Sequence, residues 1–200
     1  MICIKNKDLF YSPKYEIYNK EKYNKQKSKK VEKQIIKDNL FFIIYMKVNN
    51  ELLSMNYFNE PLEKTKMIEL LQNDTFKFKY KNKVIDNLSE DKINLFTFYH
   101  ITRYFKINVI WFSDYCYSKM IHDDENNTIY YLNSNYEWCE NIDLEDKYQI
   151  NDLYKPLKSL SYYKLDDLKD IAKYMNIDEK KKKDIYDSIS KYYENIKLII

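Results

Sequence analysis

The sequence predicts an α+β fold: buried helices packed on an antiparallel β-meander, followed by a small C-terminal two-helix unit. Three observations predict it. The seven residues Leu40 to Met46 are all apolar, which suits a helix buried on every side. Four short runs, 107–112, 115–121, 128–132 and 136–139, are rich in β-branched and aromatic residues. Ser113-Asp114, Asp123 to Asn127 and Ser134-Asn135 separate them with turn chemistry. Near the end of the chain, Leu165, Leu168, Ile171 and Met175 mark one helical face, and Ile185, Ile189 and Tyr192 mark another.

The elements follow in order. Residues 1–30 mix Lys, Tyr and Asn without a period and read as a basic, irregular arm. From Val31 to Lys47 the pattern turns helical, with Asp38 or Asn39 able to cap a second start. Pro61 fits the first turn of another helix, with Asn59 as cap and Leu62, Met67, Leu70 and Leu71 inward. Thr75 to Lys81 alternates aromatic and lysine, the pattern of a half-exposed strand, with a helical continuation as the rival reading. Ser89 precedes a helix over Glu90 to Phe105, whose inward set is Ile93, Phe96, His100 and Tyr104. The four strand runs complete an α+β domain over 31–140. Residues 141–155 are acidic and polar and read as a linker into a helix–loop–helix module at 156–195.

Composition limits the inferences. The 200 residues include 0 Gly, 22 Tyr, a single alanine (Ala172) and a single arginine (Arg103). Lys, Asn, Ile, Tyr and Phe have A/T-rich codons, so an A/T-rich genome explains the bias without a structural demand. Abundant Tyr is then no aromatic cage, and runs of Lys arise easily. Asn and Asp are expected to supply the left-handed backbone positions that glycine normally takes. Charge is unevenly spread: residues 1–37 carry 11 Lys against 4 acids, and residues 111–155 carry 3 Lys against 10 acids. A basic arm of that kind suits an acidic surface or nucleic acid. Three cysteines without a framework spacing fit a reducing compartment. No apolar run approaches the ~18 residues of a membrane span, so a soluble intracellular protein without a membrane partner is expected.

The module at 156–195 resembles the helix–extended loop–helix modules called SAP, and the related N-terminal segment of transcription terminator Rho. The matching residues are Leu160, Leu165, Leu168, Ile171, Ala172, Met175, Ile177, Lys183, Ile185 and Ile189. SAP loops usually contain glycine; here Asn176 or Asp178 must serve. The resemblance implies docking to nucleic acid, or in some members to protein alone. Lys180, Lys181, Lys182 and Lys183 would stand at the start of the second helix, the positive end of its dipole. A phosphate there relieves the unfavourable lysines, which makes these four the candidate nucleic-acid-binding residues.

Residues 30–140 resemble an uncharacterised set of proteins from nucleocytoplasmic large DNA viruses, through Lys37 to Phe42 and the aromatic helix before Ile107 to Ile110. That resemblance implies a viral scaffold or adaptor in the host-cell viral factory or the virion. The order of a buried helix and then a β-meander also resembles papain-like cysteine proteases, including OTU-type deubiquitinases. Their nucleophile opens that helix, where the dipole lowers the thiol pKa. Leu40 to Met46 contains no cysteine, so a protease on this plan is catalytically degenerate. Cys116 and His122 flank one strand, too far apart for nucleophile and base. His100 reads as an interior histidine and Cys139 as core. No catalytic residue is assigned. No metal site is expected without a paired Cys-x-x-Cys, and no cofactor or small-molecule substrate is indicated. A glycine-rich phosphate loop is impossible without glycine.

Overall fold

The computed structural model describes residues 36–49, 58–73, 79–123, 127–140 and 142–196. The basic arm lies outside the described residues, as do residues 75–78 of the alternating run; the end of that run is not the expected strand, since Tyr80 has φ 72° and Lys81 opens a helix. Helices α1 (Asn39–Val48), α2 (Glu60–Asn73), α3 (Lys81–Leu88) and α4 (Leu95–Tyr104) precede strands β1 (Asn108–Phe112), β2 (Cys116–Met120), β3 (Ile129–Asn133), β4 (Trp138–Cys139) and β5 (Tyr148–Gln149). A 3₁₀ turn (Leu160–Tyr162) leads into α5 (Leu165–Tyr174) and α6 (Lys182–Asn195). The fold is α+β. No helix among the described residues is long and apolar enough to cross a membrane.

Each helix start has its own local chemistry. Asp38 caps α1, accepting from the Phe41 N–H at 3.0 Å. Leu40, Phe41, Ile44 and Met46 are buried, whereas Phe42, Ile43 and Tyr45 are only half-buried. Asn59 bonds the Leu62 N–H at 3.2 Å at the start of α2. Met67 and Leu71 face inward as expected, and Leu70 is half-buried. Leu62 departs from the expected face at 51% exposed, while Glu63 and Lys64 are buried in its stead. The expected start of α4 at Glu90 is corrected. Ser89 bonds back to the Ile85 carbonyl at the end of α3, an element the sequence did not reveal. Asn94 caps α4 by accepting from the Thr97 N–H at 2.8 Å. The helix buries Phe98 and Ile101 with His100, while Phe96 and Tyr104 stay half-buried.

An ion pair ties these helices together. Lys64 Nζ lies 2.8 Å from the Asp38 carboxylate, with both side chains almost inaccessible. The same ammonium donates to the Glu90 and Asp91 carbonyls at 2.9 and 3.0 Å. Asp38 also accepts from the Ile93 N–H at 2.7 Å, and Glu60 accepts from the Lys37 and Asp38 N–H groups. Nearly every polar atom of this cluster is therefore matched, the condition under which a buried charge is tolerated.

The sheet is mixed, in the order β4-β3-β1-β2-β5, and this corrects the expected antiparallel meander. β1 pairs with β2 antiparallel, and β3 with β4 antiparallel, as two hairpins. However, β3 lies beside β1 and parallel to it, with Asn108 opposite Ile129 and Phe112 opposite Asn133. β1 is buried from Asn108 to Trp111, so it takes the centre, where neighbours cover it on both edges. Asn108 steers the crossing. Its Oδ1 accepts from the His122 and Asp123 N–H groups at 2.8 and 3.1 Å, and its Nδ2 donates to the Asp123 carbonyl at 2.8 Å. The chain leaving β2 is thereby carried across the start of β1 to its other side.

Residues 141–155, expected as an acidic linker, contain β5, which pairs parallel with β2. Ile150 is buried, and Lys147 Nζ donates to the Ser113 and Asp114 carbonyls. The helix pair packs back on this edge. The Tyr192 hydroxyl and Ser113 Oγ are 2.9 Å apart, and Tyr115 and Tyr192 lie 5.5 Å apart. Buried residues of both parts belong to one hydrophobic cluster.

Four described residues have positive φ: Tyr80, Lys106, Tyr136 and Asn176. Only Asn176 meets the expectation that Asn and Asp fill such places. Lys106 follows α4 in a Schellman ending, with the Ile107 N–H on the Thr102 carbonyl at 2.9 Å and its own N–H on the Arg103 carbonyl. The paired bonds hold a lysine where glycine fits best. Lys106 is exposed at the surface of the turn, so Lys106→Gly is expected to stabilise the fold by about 1 kcal/mol. A thermal melt should move up by about 2–4 °C.

Candidate nucleic-acid interface

In the first turn of α5 the Asp167 carboxylate accepts from the Lys164 N–H at 2.7 Å. Leu168, Ile171, Ala172 and Met175 of the first helix and its end are buried, as are Ile185 and Ile189 of the second; Tyr193 takes the buried place expected for Tyr192, which is half-buried. Ala172 lets the chain close tightly at the end of α5. Its carbonyl accepts from the Met175 and Ile177 N–H groups at 3.0 and 3.1 Å, and Asn176 turns the chain at φ 54°. After this left-handed turn Ile177 packs back against the core, and the segment from Asp178 to Lys181 is exposed.

Lys181 is the cap residue of α6, in an extended conformation, and no side chain caps the helix there. The leading N–H groups of α6 therefore have no side-chain cap, and the positive end of the helix dipole opens beside lysines. Lys180, Lys181 and Lys183 are exposed and Lys182 is half-buried. Glu179 is turned away from capping, since Ser188 Oγ donates to its carboxylate at 2.8 Å. An open groove of about 490 Å³ is lined by Lys169, Ala172 and Lys173 of α5 and by Ile177, Asp178, Glu179 and Lys180 of the loop.

Of the four predicted lysines, Lys180 lines this groove; the other three occupy the opening turn of α6. Sequence reading missed Lys169 and Lys173. They stand four residues apart on the side of α5 away from its apolar stripe, a signal present in the sequence but submerged among so many lysines. The arrangement offers cations and helix N–H groups to an anion and no nucleophile to a substrate.

The cysteines and histidines are dispersed through the domain. Cys116 opens β2 fully buried, its Sγ 3.1 Å from Ser113 Oγ, and burial pushes the thiol up to about 11. Cys139 is exposed, not core as expected. His122 lies beyond the opposite end of β2, with Nε2 3.1 Å from Thr102 Oγ1. Burial first, and the Arg103 charge second, lower both His100 and His122 from 6.5 to about 4. At the opening of α1, the place of the nucleophile in papain-like enzymes, the Asp38 carboxylate holds the helix start against Lys64, and Leu40 and Phe41 are buried. Among the described residues no group of His, Cys, Asp and Glu is placed to hold a metal ion. Comparison with protein-family models, with curated proteins and with solved structures finds no match.

Proposed function

We propose that this chain is a non-enzymatic adaptor that docks onto nucleic acid through its C-terminal helix–loop–helix unit, with Lys180, Lys181, Lys182 and Lys183 as the contact. The observation that carries the reading is the α6 opening: a helix N-terminus without a side-chain cap, framed by exposed lysines and extended across the groove by Lys169 and Lys173. Phosphate satisfies the helix N–H groups and the cations together. The buried, weakly acidic Cys116 and the closed start of α1 support a scaffold role for the rest of the chain. The A/T-rich composition and the resemblance to large-DNA-virus proteins support a setting in a viral factory or virion.

The test is binding to duplex DNA as salt is varied. Replacing all four lysines by glutamine should weaken binding at low salt. It should also lower the slope of log K against log salt by about 0.9 for each phosphate no longer bound. Lys180, Lys181 and Lys183 are exposed, so the melting curve should hold its position. Unchanged affinity at low salt would remove nucleic acid as the ligand and leave the unit as a protein-docking element.

A further inference from the structure

A second patch of aromatic rings and lysines lies on the main domain and shares no residue with α5 or α6. Tyr154 is 47% exposed although it belongs to an aromatic cluster. It stacks on Tyr80 with centroids 4.8 Å apart and planes 22° from parallel. Phe96 braces both rings, at 5.3 Å from Tyr154 and 5.6 Å from Tyr80, and itself rests on buried His100 at 4.5 Å. The column thus runs from the core outward and ends at Tyr154. Asp152 fixes the turn that presents it, accepting from the Tyr154 and Lys155 N–H groups at 2.9 and 3.2 Å. Leu157, three residues on, is buried and also anchors this segment.

Lysines surround the ring. Lys83 Nζ donates to the Tyr154 hydroxyl at 2.6 Å and lies 4.5 Å from the ring centroid. The two distances together put the ammonium beside the hydroxyl and not over the middle of the ring. Lys79 Nζ lies 4.8 Å from the Tyr80 centroid, and Lys155 is exposed next to Tyr154. The local acids are Asp152, engaged in the turn, and Asp86, one turn beyond Lys83 on α3.

We propose that Tyr154 is a stacking platform for an unpaired base of a single-stranded nucleic acid, with Lys79, Lys83 and Lys155 placed for the flanking phosphates. A base offers a flat π-face to such a ring, and its neighbours supply the negative charge the lysines match. A duplex hides those faces within its own stack, so the occupant is a single strand. The site shares no residue with the α6 opening and stands or falls independently of it.

The experiment measures binding of the full chain to a short single-stranded oligothymidylate and to an abasic strand of equal charge. The parent should prefer the base-bearing strand. Tyr154→Ala should lose about tenfold in affinity for it and little for the abasic strand. Tyr154→Trp should retain binding, and its added indole fluorescence should be quenched by the base-bearing strand alone. If Tyr154→Ala binds oligothymidylate as tightly as the parent, or the abasic strand binds equally well, the proposal is overturned. Either result counts against the platform whatever the four-lysine variant does. Loss in Tyr154→Ala with normal oligothymidylate binding by the four-lysine variant supports the platform, and the duplex titration decides the α6 opening separately. A Tyr154→Trp variant that binds without quenching also overturns it, and that reading does not depend on how well Tyr154→Ala folds.

Discussion

Lys64→Met is expected to cost the fold about 3–5 kcal/mol, a large part of the ~5–15 kcal/mol that holds a typical domain. Methionine keeps the apolar stem but leaves the Asp38 carboxylate, in a residue 1% exposed, without its cation. The Glu90 and Asp91 carbonyls lose their donor in the same step. The Phe41 and Ile93 N–H groups still reach the carboxylate, but two neutral donors do not replace a cation at 2.8 Å. Asp38→Asn should fail by another route, since an amide cannot accept from both N–H groups through two oxygens. The double variant should cost less than the sum of the two, because each single change strands the other partner. Urea midpoints for the four proteins measure this. A Lys64→Met midpoint equal to that of the parent would show that the pair contributes nothing to the fold.

The second large effect is on pH. His100 and His122 fall from 6.5 to about 4 on folding, so between those values the unfolded chain binds more protons than the folded one. Stability is therefore complete above pH 6.5 and falls as the pH drops toward 4. The loss is roughly 1–2 kcal/mol per ring, after discounting for the solvent that reaches half-buried His122 and for relaxation around a charged His100. His122→Gln can keep a side-chain bond to Thr102 and should flatten the curve by about half. Denaturant melts at pH 7 and pH 4.5 check the slope, and an equal loss in parent and variant would assign it to carboxylates elsewhere.

What was legible in the sequence was local. Asp38, Asn59 and Pro61 announce helix starts through their own side chains, and the structure uses each of them so. Ser89 misled because a hydroxyl can bond back into the helix before it as easily as cap the helix after it. Nothing beside Lys64 in the sequence marks it as buried. Its burial depends on carbonyls 26 and 27 residues distant, which no pattern displays. The place of β3 was hidden for the same reason: Asp123 to Asn127 look like a hairpin turn, and the Asn108 side chain decides otherwise. The near-continuous apolar run of β1 did carry the signal of a central strand. At the α6 opening the lysine run was visible, but the uncapped helix start and the α5 lysines across the groove belong to the folded chain. Tyr154 was invisible as one tyrosine among 22.

The bond between Ser113 and Tyr192 spans 79 residues of sequence. Closing so long a loop has an entropic cost before any contact rewards it, whereas α5 and α6 meet across a short loop. The helix pair is thus expected to form early and dock late, after β1 and β2 have brought Ser113 and Tyr115 into place. Until it docks, the end of the sheet around Ser113 and Cys116 stands open to water and to other chains. The last event in folding is then also the step that shields the sheet from association, and conditions that slow docking should show first as aggregation and not as loss of helix.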